Sequence, residues 1–195
     1  HGDVLDVFSV VDITQPPEIN IKRVARAKGK YIEDVTVCVL DRDRHRDLIA
    51  SIRQTGARIK LINDGDISGA VATAMGGKAI DILMGIGGAM QGVVAAAALK
   101  CLGGDMQARF IYRNDEDRRL VLDSGEKDLD RIYDIGDMAK GNIVFAATGI
   151  TNGELLPGVL FVSGGAQTHS VVMRSKTRTV RFITAMHQFD YKPMY

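Results

Sequence analysis

The chain has no tryptophan, two cysteines and four prolines in 195 residues. Two cysteines cannot staple a fold of this length, which excludes a disulfide-built secreted scaffold. Cys38 and Cys101 both lie inside apolar stretches, 35–40 and 93–102, where a thiol packs as a small hydrophobe. Buried, reduced thiols are the expectation, and with them a cytoplasmic location. An excess of charge of one sign is missing too: 25 Lys and Arg stand against 24 Asp and Glu, a net charge of +1. That balance argues against nucleic acid or an anionic membrane surface as the partner. No apolar run reaches the roughly 18 residues that a membrane span needs. Internal repeats and low-complexity segments are absent as well. The chain opens on His1 rather than Met, with no basic-then-apolar signal segment behind it. Such a start fits processing, an artificial boundary or a fragment.

What is present, 46% apolar and 25% charged residues, is the composition of a globular domain with one sizeable core or two small ones. Residues 2–13 alternate loosely and end at Pro16-Pro17, which interrupts any regular element. Ile21, Val24 and Ala25 give the segment 19–28 one apolar helical face, with Gly29 as its stop. A regular alternation follows. Residues 35–40 form a continuous β-branched run, the mark of a strand buried on both faces. Helix 44–54, strand 58–62, helix 67–75, strand 80–86 and an Ala-rich helix 91–102 come next. That last helix is apolar nearly all round, so it is expected to be buried. Short connections make these βα units with parallel strands. After Gly104 the pattern changes: a strand over 106–112, a charge-rich helix and loop over 114–130, and a strand over 142–147. From Leu160 the chain alternates through Val171–Met173 and Thr179–Ile183 around the polar turn 175–178, which predicts an antiparallel hairpin. The fold class is therefore α/β, with parallel βα units first and antiparallel strands last.

In open α/β sheets, ligands bind beyond the carboxyl ends of the strands. Three loops lie there: Leu40-Asp41-Arg42-Asp43-Arg44-His45, Asn63-Asp64-Gly65-Asp66, and Gly85-Ile86-Gly87-Gly88-Ala89-Met90-Gln91-Gly92. Arg42 and Arg44 suit a phosphate, since guanidinium binds it bidentately and a helix N-terminus adds to the attraction. The plainer alternative is a solvated loop in which Asp41 and Asp43 pair with the arginines. His45 reads as a surface residue at a helix start rather than a catalytic base. Asp66 either caps the helix at Ile67 or, with Asp64, offers carboxylates to sugar hydroxyls or a divalent cation. The glycines of the third loop let backbone amides approach an anion. They do not form the dinucleotide fingerprint, because the last glycine falls at Gly92 rather than at position 90. Arginine, aspartate and glycine at one edge point to a phosphorylated polyol.

These residues resemble the class II fructose-1,6-bisphosphatases of bacteria. The resemblance runs in order over about 19–187. It is carried by 39–45, Gly56-Ala57-Arg58-Ile59-Lys60-Leu61-Ile62, Asp64-Gly65-Asp66, Gly85-Ile86-Gly87-Gly88-Ala89, 96–104, 145–151, Gly153-Glu154-Leu155-Leu156, Thr168-His169-Ser170 and Met173-Arg174-Ser175-Lys176. It implies a sugar-phosphatase-like layered α/β fold, a homo-oligomer, dependence on Mg²⁺ or Mn²⁺, and hydrolysis of the 1-phosphate of fructose 1,6-bisphosphate, with sedoheptulose 1,7-bisphosphate taken by some relatives. It also implies that Arg42, Arg44, Asp64, Asp66 and Gly88 bind substrate.

Two stretches depart from the family. Gly87-Gly88-Ala89-Met90-Gln91-Gly92 stands where the family reads Gly-Gly-Ala-Pro-Glu-Gly. Gln91 thus takes the place of a metal-binding glutamate and keeps an oxygen without the charge. Arg42-Asp43 stands where the family has Lys-Pro. The family's Gly-Glu-Gly-Glu run and Asp-Pro-Xaa-Glu-Gly-Thr motif do not occur in these 195 residues. The expected organisation is a poorly matching segment 1–18 followed by a sugar-phosphate-binding domain 19–195, without the metal-binding half. Alone, such a chain is expected to be nearly inactive. A non-catalytic sugar-phosphate-binding or regulatory domain is the alternative, and a nucleotide-binding module resting on the glycines is a third.

Overall fold

A computed structural model describes residues 10–75, 79–153 and 155–191. Most of the alternation read over 2–13, and Glu154 of the family motif, lie outside the described residues. Helix α1 (Pro17–Lys28) opens on a proline, whose missing N–H costs nothing in a first turn, and stops at Gly29 in the left-handed region. Strand β1 (Thr36–Leu40) is central in a three-stranded parallel sheet, between β2 (Arg58–Ile62) and β3 (Ile82–Leu83). Its side chains alternate between two cores. Val37 and Val39 face Ile21, Val24, Ile49 and Ile52 of α1 and α2 (Arg46–Gln54). Cys38 and Leu40 face Ala72 of α3 (Asp66–Ala74). The reading of a strand covered on both faces is borne out, and both cysteines are buried and in no disulfide.

Helix α4 (Ala89–Leu102) packs beside α3. Its other flank carries a second, antiparallel sheet built from β6 (Val144–Thr148), β7 (Leu160–Val162), β8 (Gly165–Arg174) and β9 (Thr179–Gln188). Val71, Ala98, Cys101, Phe145, Val171 and Met173 form the core between them. Four layers result: α1 and α2, the parallel sheet, α3 and α4, then the antiparallel sheet. The hairpin is present as read, with β8 and β9 paired over ten residues around the turn 175–178.

Three expectations change. The strand read over 80–86 is regular only at Ile82–Leu83; the Met84 N–H still bonds Cys38 O at 3.0 Å, and the chain then leaves the sheet at Gly85. The strand read over 106–112 shrinks to β4 (Gln107–Ala108), which pairs with β5 (Tyr133–Asp134). Phe110 and Tyr112 go instead to an aromatic group in which Phe110 meets Tyr133 edge-on at 5.6 Å. Helix α4 is buried only from Ala95 onward; Met90, Val93 and Val94 in its first turns are exposed. The charge-rich stretch contains α5 (Asp115–Asp123), as expected, and the short α6 (Ile135–Met138) follows β5.

Candidate functional site

Because β2, β1 and β3 are parallel neighbours, the loops after them meet at one edge, as the strand-end reading required. Side chains tie them together. Arg42 donates from one Nη to the carbonyl of Asn63, in the second loop, at 2.5 Å, and from the other to its neighbour Asp41 O at 3.0 Å. Arg44 donates its Nε–H to Ile86 O, in the third loop, at 2.9 Å. Among the described residues its Nη groups make no hydrogen bond, and the side chain is exposed. The ion pairs of the solvated-loop alternative are not formed. Asp43 instead pairs with Arg46 at 2.7 Å, three residues on.

His45 corrects the sequence reading outright. It is fully buried, with Nδ1 2.8 Å from Leu40 O and Nε2 accepting the Ile86 N–H at 2.8 Å. A signal for this was present: His45, Ile49 and Ile52 fall at i, i+4 and i+7, the apolar stripe of α2.

In the second loop, Asp64 Oδ1 accepts the Gly65 N–H at 2.8 Å. Gly65 has φ +93°, a left-handed conformation that favours glycine. It, rather than Asp66, is the N-cap of α3, and it carries no side chain to cap with. Asp66 is the first helical residue, and its carboxylate turns toward the third loop: a Cβ on Gly87 would come within 2.9 Å of Asp66 Oδ2. Asp66 Oδ1 is buried without a hydrogen-bond partner. A buried acceptor of that kind carries an unmet desolvation cost that a ligand hydroxyl can relieve.

Gly88 has ordinary extended geometry, so its lack of a side chain matters for space, not for φ. The Gln91 amide oxygen folds back over that space and would collide with a Cβ there. No group of three or more His, Cys, Asp or Glu among the described residues is arranged to hold a metal ion. With Gln91 turned onto Gly88, the described residues do not by themselves make a metal centre.

Helix starts without a side-chain cap gather at this edge, although α1, which opens on Pro16-Pro17, has no side-chain cap either. Helices α2, α3 and α4 begin at His45, Gly65 and Gly88 with no side-chain hydrogen bond to their first turns. Away from the edge, α5 is capped by Asn114 and α6 by a reciprocal Asp134–Asp137 box. At α2 the Arg46 N–H is already taken by Asp43 O in the preceding turn; first-turn amides without a partner keep their attraction for an anion.

Residues 5–187 match the family described as bacterial fructose-1,6-bisphosphatase, glpX-encoded. The chain belongs to this family. Curated relatives of the bisphosphatase family include a D-fructose 1,6-bisphosphatase class 2/sedoheptulose 1,7-bisphosphatase of Synechococcus sp. (strain JA-2-3B'a(2-13)), 46% identical over 193 residues. A protein of the same description from Synechococcus sp. (strain JA-3-3Ab) is 44% identical. In each case 92% of this chain is covered and 56% of the relative, so the chain spans little more than half the length of these bisphosphatases. All three strand-end loops fall inside the bisphosphatase match.

Proposed function

We propose that this chain supplies the sugar-phosphate-binding part of a fructose-1,6-bisphosphatase, which releases the 1-phosphate and leaves fructose 6-phosphate. The observation that carries the reading is the convergence of three uncapped helix starts on one edge, with Arg44 beside them. Arg42 and Arg44 neutralise phosphate. Asp64 and Asp66 accept hydrogen bonds from sugar hydroxyls, Asp66 through the oxygen that now has no donor. Gly88 lets the ligand lie against backbone once the exposed Gln91 side chain swings away. Residues 19–195 form the binding unit, and the working protein is a homo-oligomer that requires Mg²⁺ or Mn²⁺. The ligands of that ion lie largely outside the residues at this edge. Sedoheptulose 1,7-bisphosphate is a second substrate by the description of the relatives.

A phosphate-release assay on the complete gene product with Mn²⁺ tests the activity; absence of fructose 1,6-bisphosphate turnover would sink it. The 195-residue chain alone is expected to bind fructose 6-phosphate in calorimetry and to hydrolyse little. The folded-back Gln91 favours one second reading, a sugar-phosphate-binding domain without catalysis. In that case Gln91→Glu leaves the complete protein inactive, whereas in the enzyme it tightens metal dependence.

A further inference from the structure

Two neighbouring residues of the first loop grip one residue of the third. Ile86 offers its carbonyl to Arg44 Nε at 2.9 Å and its N–H to His45 Nε2 at 2.8 Å. An amide N–H only donates, so Nε2 is the unprotonated nitrogen of the ring; Nδ1 faces the Leu40 carbonyl and therefore carries the hydrogen. The ring is fully buried, and Gly85 packs on it so closely that a Cβ there would come within 3.2 Å of both Cε1 and Nε2. His45 is thus a strut between the last residue of β1 and the glycine loop before α4. Through Ile86 it sets the position of Gly87, against Asp66, and of Gly88, the start of α4.

We infer that His45 is a positioning residue: by accepting the Ile86 N–H it holds the glycine loop at the height at which its amides, Arg44 and Asp66 can engage one ligand. It does not touch that ligand itself. The inference rests on the sugar-phosphate reading for the identity of the ligand, but the strut can be tested without it. Its essential half is the acceptor at Nε2. Gln at position 45 keeps an acceptor near Nε2 and loses the donor at Nδ1, whereas Asn keeps the donor and loses the acceptor.

The experiment compares wild type, H45Q and H45N of the 195-residue chain by amide hydrogen exchange and by calorimetry with fructose 6-phosphate and with inorganic phosphate. In H45N the Ile86 amide is expected to exchange about tenfold faster and fructose 6-phosphate affinity to fall about tenfold, the worth of one hydrogen bond. Amides of β1 and β2 should keep their protection, and H45Q should recover most of both losses. A merely structural histidine would give equal losses in the two variants, spread over β1 and β2. That outcome overturns the inference, as does an H45N chain that binds fructose 6-phosphate like wild type. If wild type binds neither probe, the ligand reading fails, and the Ile86 exchange rates alone still decide whether the strut exists.

Discussion

Gly85 and Gly88 lie three residues apart and answer to different neighbours, so substitution separates their roles. A methyl on Gly85 meets the His45 ring, which two hydrogen bonds keep from moving aside. Gly85→Ala is expected to cost about 1–3 kcal/mol in urea denaturation, the range for overpacking against a neighbour that cannot yield. The three atoms nearest a methyl on Gly88 are at the end of the Gln91 side chain, which is exposed and can swing into solvent. Gly88→Ala should therefore stay within about 0.5 kcal/mol of wild type and still weaken fructose 6-phosphate binding, because the methyl occupies the ligand's space. The loops were legible from the rule that ligands gather at strand ends, and Arg42, Arg44, Asp64 and Asp66 all fall on that edge. His45 was not legible by residue type: a histidine among three arginines reads as surface, and only its spacing to Ile49 and Ile52 betrays burial. The capping alternative for Asp66 fails for a related reason, since Gly65 takes the cap position by adopting a backbone conformation that sequence does not display.

Among the elements, β1, α1 and the β8–β9 hairpin could be read because their periodicity and their stops agree. Strand β3 was read too long because one apolar run, 80–86, serves both the strand and the loop above it. Its start is fixed by charge instead. Asp81 accepts the Thr36 N–H at 2.9 Å and ion pairs with Lys28 at 2.9 Å and Lys30 at 2.8 Å, joining the end of α1 to the sheet. Burial pushes the Asp81 carboxyl upward, but the bonds from Lys30, the Thr36 amide and Lys28 outweigh it and hold it below the ordinary 3.8. A depressed carboxylate contributes stability above its unfolded value and loses it as pH falls through the folded one. Asp81→Asn should thus lose about 1–3 kcal/mol at neutral pH and close the gap to wild type below pH about 4, as urea midpoints across pH will show. The β4–β5 region rests on a different group. Glu126 accepts from the amides of Lys127 and Asp128 and from the Tyr133 hydroxyl at 2.7 Å, and its carboxyl is held at about 2. Burial, and then this carboxylate, push the Tyr133 phenol up to about 12. In a base titration followed by phenolate absorbance, one tyrosine should ionise near that value, and Glu126→Gln should bring it down.

Over the whole molecule, the parallel sheet is covered on both faces while the antiparallel sheet is covered well only where α4 reaches it. Strand β9 forms an edge, and its apolar residues lie on both faces: Phe182 and Met186 are 59% and 65% exposed, and Ile183, which points the other way, 46%. Apolar patches of this kind bind hydrophobic probes. The native 195-residue chain should enhance the fluorescence of an apolar dye, and a Phe182→Ser, Met186→Ser double variant should lose much of that signal while keeping its far-ultraviolet circular dichroism. The three uncapped helix starts have a consequence for folding as well as for binding. α5 and α6 are closed by residues of the chain, whereas α2, α3 and α4 have no side-chain cap, and on the proposed reading a sugar phosphate binds there. A sugar phosphate at about a hundred times its Kd then adds about 2.7 kcal/mol of stability by mass action. The gain should be local, slowing amide exchange in the first turns of those three helices and leaving α5 and α6 unchanged. On the proposed reading, a bound sugar phosphate takes the place of a capping residue for several helices at once.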